Sequence, residues 1–293
     1  MLIKSKGEKA FDIFNIFLMV LLAVVFIYPA LLVVCASFTS ADALTKNGYS
    51  ILIKEFSLSS YKYIFTAQDL FLRSMGNSLF MAFVGTIGLV VTTSLYAYAV
   101  SRKQLVFKKF FVMVLVIPVL FAGGTIPYYL IINGLGLMNS QWAIILPYSV
   151  NAWYIIIAKN YFASLPESLV ESAQLEGANN VQVLFKIVMP LAFPILATII
   201  LYSAVAIWND WFQSMLFIDS NHKHLWPVQS LVRELETDFS SIVSSIGGGT
   251  TLGLNSEGIK SAAVVTATLP IVIVYPFLQK YFINGVLTGG VKE

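Results

Sequence analysis

Long apolar segments alternate with shorter polar segments along the whole chain. Each apolar segment is long enough to form a membrane-spanning helix, which needs about 17–25 residues. The pattern predicts an all-α integral membrane protein with six transmembrane helices in a single domain, residues 1–293. The predicted spans cover about residues 11–36, 73–100, 110–131, 141–158, 191–217 and 259–283.

Composition agrees with a polytopic membrane protein and excludes an ordinary soluble core. Hydrophobic residues make up 58% of the chain, charged residues make up 11%, and the mean hydropathy is +0.80. The net charge of +3 is small, so we expect no nucleic-acid partner. A single cysteine, Cys35, excludes an intramolecular disulfide bond.

The first apolar run begins at Phe11 and ends near Ala36. It is nearly twice as long as the core of a secretory signal peptide, which is roughly 7–15 residues. Val34 precedes Cys35 at the position where a lipoprotein cleavage site needs a small residue. We therefore expect this run to be retained as the first span.

The third predicted span contains Pro118, Gly123, Gly124 and Pro127. Because proline and glycine interrupt helices, we expect this span to be broken or kinked near its far end. A broken span is also typical of ion-coupled secondary transporters, which are the alternative class at this point.

Lysine and arginine are distributed unevenly between the two sides of the predicted membrane protein. With the N-terminus inside, eleven of them lie in cytoplasmic segments and seven lie in outer segments. The positive-inside rule then places both termini and the loop 159–190 in the cytoplasm, with loops 37–72 and 218–258 outside.

The segment 164–194 is the longest polar interruption with helical character. Ser164 followed by Glu167 matches a capping box, and Pro166 suits the start of a helix. Gly177 stands where a short helix needs a left-handed exit residue. The segment therefore predicts two short helices that meet at a glycine.

The second short helix has its own start signal, because Asn179 and Gln182 also form a capping-box pattern. Its apolar residues recur at helical spacing and are predicted to share one face. By pattern alone, this segment is either a docking element for another protein or an ordinary helical hairpin. The predicted apolar face comprises Val181, Leu184, Phe185 and Val188.

The same segment resembles the EAA loop of ABC importer permeases, whose pattern is E-A-A, three residues, G, nine residues and I-x-L-P. This chain has Glu171-Ser172-Ala173, Gly177 and Ile187-Val188-Met189-Pro190 at that spacing, with Ser172 and Met189 as departures. In that family the loop docks in a cleft of a cytoplasmic ATPase. The resemblance implies ATPase-coupling roles for Glu171, Ser172, Ala173, Glu176, Gly177, Phe185 and Pro190.

Further stretches resemble the maltose-type branch of this family. They are Trp208–Trp211, the outer-loop stretch from Leu225 to Arg233, and the tail from Gln279 to Lys292. The stretches Phe121–Tyr128 and Asp12–Asn15 resemble a narrower branch that serves complex or polymeric carbohydrates, including alginate-type oligosaccharides.

The resemblance implies the type I importer permease fold and a particular assembly in the bacterial inner membrane. The expected partners are a second, homologous permease, two copies of a cytoplasmic ATP-binding subunit, an extracytoplasmic solute-binding protein and a carbohydrate substrate. The chain itself is expected to be no enzyme and to bind no cofactor, since ATP and Mg would lie on the ATPase subunits. No Walker A lysine, nucleophile elbow or zinc-ligand spacing occurs in the sequence. A membrane assembly scaffold is a further alternative.

Asp210 is a carboxylate well inside a predicted span, and acids in spans are costly and therefore candidates for function. We predict a translocation-pathway role for Asn209, Asp210, Trp211 and Tyr128. The alternative is that Trp211 belongs to an interfacial belt while Asp210 caps a helix or reaches outer water.

The outer loop 218–258 is predicted to contact the binding protein. His222 and His224 lie two residues apart without further metal-ligand spacing, so no metal site is expected there. The predicted contact residues are Trp226, Gln229, Arg233, Gly247 and Gly248.

Overall fold

The computed structural model describes residues 6–66, 69–237 and 255–290, with side chains described up to residue 276. Within these ranges the regular structure is helical, apart from an isolated bridge between Thr39 and Phe56. The helices are α1 (Lys6–Ser37), α2 (Ala41–Asn47), α3 (Ser59–Thr66), α4 (Asp69–Ser101), α5 (Lys108–Leu120), α6 (Thr125–Gly134), α7 (Trp142–Tyr148), α8 (Ala152–Ser164), α9 (Glu167–Leu175), α10 (Asn180–Val183), α11 (Met189–Leu191), α12 (Phe193–Trp208), α13 (Phe212–Phe217), α14 (Val228–Thr237) and α15 (Ser256–Gly290). A π-helical segment, Leu184–Val188, joins α10 to α11, and a 3₁₀ helix, Ser220–Leu225, precedes α14.

Four helical stretches of the described chain are long and apolar enough to cross a bilayer. Two further pairs of helices, each bent sharply at a short break, meet the same test if each pair is taken as one span. The pair α5 and α6 bends by 119°, which confirms the predicted break in the third span. The four continuous stretches are Gly7–Ser37, Asp69–Ser101, Trp142–Ser164 and Ser256–Pro276.

The fourth and fifth predicted spans differ from the structure in ways that matter for the site. The fourth continues to Ser164, six residues beyond the predicted end at residue 158. The fifth is interrupted, because Asn209–Trp211 separates α12 from α13. Hydropathy did not reveal this interruption, since both helices are apolar on either side of it.

The chain forms two compact units, Met1–Asp69 with Glu234–Thr268 and Leu70–Arg233 with Leu269–Glu293. In the first unit, the Tyr49 hydroxyl donates to the Glu257 carboxylate at 2.8 Å. The Asn255 amide donates to the Thr45 hydroxyl at 2.9 Å. These bonds join the short α2 region to the start of α15 within that unit.

The second unit contains a hydrophobic core that joins several of its helices. One cluster includes Tyr98 of α4, Leu115 of α5, Phe162 of α8 and Leu196 of α12. Val170 of α9 belongs to the same cluster, so the short helices after α8 pack onto the bundle of long ones. This packing fixes the position of the EAA-like segment.

In the sequence, Gly76, Gly85 and Gly88 of α4 predict close contact with neighbouring helices, because glycine lets backbones approach. A side chain at Gly88 would overlap Ser149, and one at Gly85 would lie 2.7 Å from Ile207 Cδ1, which confirms the prediction at both positions. The prediction is wrong for Gly76, where nothing lies within 4 Å.

We expect Gly88→Ala to lower the thermal unfolding midpoint, because its methyl group would lie 2.9 Å from Ser149 Cβ. Overpacking of this kind typically costs about 1–3 kcal/mol. Gly76→Ala is the matched control in the same helix, where alanine is expected to be neutral or stabilising. Tryptophan fluorescence of the purified protein in detergent measures both midpoints. An unchanged midpoint for Gly88→Ala would contradict the close contact.

Candidate functional site

The first helix of the EAA-like segment, α9, begins without a side-chain cap. The predicted Ser164 capping box is wrong, because Ser164 Oγ donates to the Tyr161 carbonyl at 2.8 Å. Ser164 is still the last residue of α8, so its hydroxyl bonds back to its own helix. Glu167 binds Lys103 instead of returning to the backbone.

One side of α9 is buried and the other is exposed. Val170 and Ala173 pack into the main core cluster, whereas Glu171 and Ser172 are exposed. Ala173, which was predicted to have an ATPase-coupling role, is only 9% exposed and packs in the core cluster. It therefore anchors α9 to the core and does not form part of the exposed surface.

The turn after α9 has the geometry that the glycine predicted. Gly177 has a φ of 88°, in the left-handed region. The Ala178 N–H donates to the Ala173 carbonyl at 2.9 Å, and the Gly177 N–H donates to the Gln174 carbonyl at 3.0 Å. These two bonds form a Schellman motif, which satisfies the last carbonyls of α9 and fixes the angle to α10.

The second short helix starts as predicted. Asn179 Oδ1 accepts from the Gln182 N–H and Gln182 Oε1 accepts from the Asn179 N–H, both at 2.9 Å. The predicted single apolar face is wrong: Leu184 is buried, whereas Val181 and Phe185 are 60% and 47% exposed. The π-helical segment changes the register after α10, so the 3.6-residue spacing does not apply there.

An exposed apolar surface therefore surrounds the Gly177 turn. Leu175 is 90% exposed, and Val181 and Phe185 lie beyond the turn. Apolar side chains grouped in this way are typical of a surface that another protein covers. Leu175 was not among the predicted residues. Its position away from the face of α9 that carries Val170 and Ala173 could have indicated its exposure.

A cavity of about 470 Å³ lies between α9 and the end of α4. Lys103 Nζ donates to Glu167 Oε2, and this contact raises the pKa of Lys103 and lowers the pKa of Glu167. Both groups are solvent-exposed, so the pair stabilises the fold little and instead positions α9 beside the α4–α5 loop. The Arg102 guanidinium lies 4.6 Å from the centre of the Tyr98 ring. The lining residues include Tyr98, Arg102, Gln104, Glu167, Glu171 and Asn180.

Asp210 is buried, with 8% of its surface exposed, and its carboxylate is hydrogen-bonded. It accepts from Ser214 Oγ at 2.9 Å and from the backbone N–H groups of Gln213 and Ser214 at 3.4 and 3.2 Å. The Tyr148 hydroxyl donates to it at 3.3 Å. Asp210 therefore caps the start of α13, which is the structural alternative to a pathway role.

The other pathway candidates lie near predicted binding-protein contacts. Asn209 and Trp211 are exposed, and the Gln229 amide donates to Asn209 Oδ1 at 3.4 Å. The Arg233 guanidinium lies 5.1 Å from the centre of the Trp211 ring. The structure thus brings together two residue groups that the sequence analysis assigned to different roles.

Tyr128, the remaining pathway candidate, is half-buried. Its hydroxyl donates to Gln213 Oε1 at 3.0 Å. Gln213 was not predicted, because a lone amide in an apolar helix has no sequence pattern that marks it.

The prediction that Trp226 contacts the binding protein is wrong. Its indole is 3% exposed and donates to the Ile218 carbonyl at 2.9 Å, so it is a core residue. His222 bonds Asp219 at 2.7 Å, and no metal-binding group occurs among the described residues. Gly247 and Gly248 lie outside the described residues.

Helices of bilayer length and an exposed apolar surface at a glycine turn are typical of a membrane protein that another protein contacts. The chain belongs to the family of binding-protein-dependent transport system inner membrane components, whose sequence pattern matches residues 85–288. This match confirms the predicted family and favours it over the ion-coupled alternative.

Relatives over the full chain agree with this family. Protein LplC of Bacillus subtilis is 38% identical over 289 residues, covering 98% of this chain and 97% of the relative. The polygalacturonan/rhamnogalacturonan transport system permease protein YtcP of Bacillus subtilis is 37% identical, covering 97% of this chain and 99% of the relative. A bacterial ABC transporter involved in alginate import contains a structurally similar chain, with a TM-score of 0.87 and 29% sequence identity. The match covers 96% of this chain and 100% of that chain.

Proposed function

We propose that this chain is a permease subunit of an ATP-driven importer of oligo- or polysaccharide in the bacterial inner membrane. The observation that carries the proposal is 37% identity, over nearly the whole length of both chains, to the polygalacturonan/rhamnogalacturonan transport system permease protein YtcP. Similarity to a chain of the alginate importer supports the same substrate class. We further propose that the chain belongs to the branch that serves alginate-type oligosaccharides.

The proposed topology has six spans and cytoplasmic termini. The four continuous stretches, the α5–α6 pair and the α12 part of the second bent pair would supply the six crossings. Lysine and arginine bias supports the orientation, and it places α9 and α10 on the cytoplasmic side.

The proposed coupling element is the segment Glu167–Leu191, which would dock on a cytoplasmic ATPase. Its support is the exposed surface formed by Glu171, Leu175 and Phe185 around a rigid Schellman turn. Because Val170 is packed in the core, a push on this surface would move the long helices as well. Ser172, Glu176, Gly177 and Pro190 are exposed and complete the proposed contact.

The proposed complex contains a second permease, two ATPase subunits and an extracytoplasmic binding protein. ATP and Mg would be held by the ATPases, and this chain would hydrolyse nothing itself. Gln229 and Arg233, at the surface near Trp211, remain the proposed contacts with the binding protein.

The test is uptake of labelled sugars into liposomes that contain this chain with the products of its neighbouring genes. The sugars are galacto-, arabino- and galacturono-oligosaccharides. We expect ATP-dependent uptake of at least one and co-purification of a nucleotide-binding subunit. Uptake driven by an ion gradient without an ATPase would overturn the proposal.

A further inference from the structure

The break between α5 and α6 exposes backbone groups inside a predicted span. Phe121–Gly124 is not helical, and Ala122, Gly123 and Gly124 are exposed. Within the described part of the chain, the N–H groups of these three residues donate no hydrogen bond. Unpaired backbone groups are strongly disfavoured in hydrocarbon, so non-helical backbone at this depth lines water or a polar partner.

A cavity of about 540 Å³ lies against this break. Its volume falls in the range of about 300–1,000 Å³ that is usual for small-ligand pockets. Tyr128 and Gln213, joined by their hydrogen bond, contribute polar groups, and Phe212 contributes an aromatic surface. The lining consists of Ala122, Gly123, Gly124, Thr125, Pro127, Tyr128, Ile131, Phe212, Gln213 and Leu216.

The side chains and backbone groups of this lining favour some polar ligands over others. It contains no charged side chain, so a buried carboxylate would lack a partner and be disfavoured. Amide, phenol and backbone N–H groups suit hydroxyl groups, while Phe212 and Ile131 suit the C–H faces of a ring. A sugar ring presents both kinds of surface.

We propose that this cavity is a sugar subsite that binds a ring through its hydroxyl groups and C–H face, without recognising a carboxylate. The inference rests on the proposed function and adds Phe212, Gln213 and the Ala122–Gly124 backbone to the pathway residues.

Thiol labelling tests whether the cavity is wet and occupied. In a Cys35→Ser background that retains uptake, Thr125→Cys would place one thiol at the break. Leu130→Cys is the control, because Leu130 is 60% exposed on the same helix but does not line the cavity. We expect a charged, membrane-impermeant thiosulfonate to label only Thr125→Cys, and the transported oligosaccharide to slow labelling several-fold. Absence of labelling, or labelling that the sugar leaves unchanged, would overturn the subsite.

Gln213→Leu tests the hydrogen bonds in the native Cys35 background. Loss of one hydrogen bond to a neutral group, with Tyr128 left unpaired, is expected to raise the KM for uptake by about five- to tenfold. Membrane insertion of the variant and co-purification of the ATPase subunit should match the wild type, which separates this effect from failed assembly. An unchanged KM would contradict the subsite, whereas absence of ATP-driven uptake in the wild type would contradict the proposed function.

Discussion

Gly177→Val is expected to abolish most ATP-driven uptake while the chain still folds and enters the membrane. A φ of 88° costs a β-branched residue about 1–3 kcal/mol, which corresponds to about a 5- to 150-fold loss of the native turn. No neighbouring heavy atom lies within 4 Å of the position that a Cβ atom would occupy at Gly177, so backbone strain is the cause rather than a clash. The Schellman bonds would be lost, and α10 would no longer hold its angle to α9.

Two assays measure the effect of Gly177→Val: sugar uptake into liposomes, and ATP hydrolysis by the same liposomes. Gly177→Asn is the matched control, because asparagine tolerates the left-handed region better than other residues. We expect uptake to fall in the order glycine, asparagine, alanine and valine. Equal uptake for Gly177→Val and the wild type, with normal assembly, would count against the role of the turn.

Glu171→Lys is expected to prevent productive docking of the ATPase and to reduce ATP-driven uptake to background. Glu171 is exposed on α9 beside the cavity that also contains Arg102 and Glu167. Reversing its charge places a third cation near Arg102 and Lys103, and it also repels a basic partner surface. Because the side chain is exposed, the folded structure should tolerate the change.

Co-purification of the ATPase and sugar uptake measure this second effect. Glu171→Gln separates loss of charge from reversal and should show an intermediate loss. Asn160→Lys is the control for an added charge, since Asn160 is exposed in α8 outside the proposed contact surface. Retained uptake in Glu171→Lys would remove Glu171 from the docking surface, as would equal losses in Glu171→Lys and Asn160→Lys.

Local sequence signals were confirmed at the second capping box, at the glycine turn and at the break in the third span. Asn179 and Gln182 form the predicted capping box, and Gly177 adopts the predicted left-handed turn. The proline and glycine residues of the third span produce the predicted break. In each case the competing conformations differ through backbone sterics or a short-range hydrogen bond, so tertiary contacts did not override the local preference.

Predictions that depended on distant residues were less reliable. Glu167 pairs with Lys103, which is 64 positions away, and this contact replaces the predicted cap. Trp226 fills the core next to Ile218, and Ala173 packs against the bundle. Whether a side chain is exposed depends on which helices pack over it. A motif shared with a family does not specify that packing.

The sequence by itself determined the membrane class, the broken third span, the position of the glycine turn and the family, because hydropathy, backbone sterics and motif spacing are encoded locally. Only the tertiary structure decided that Asp210 is buried beside Tyr148 and that Leu175 is exposed. It also placed Gln213 beside Tyr128, in the cavity at the break of the third span. The physical reason is that these properties arise from packing between helices far apart in the chain, which residue spacing does not specify.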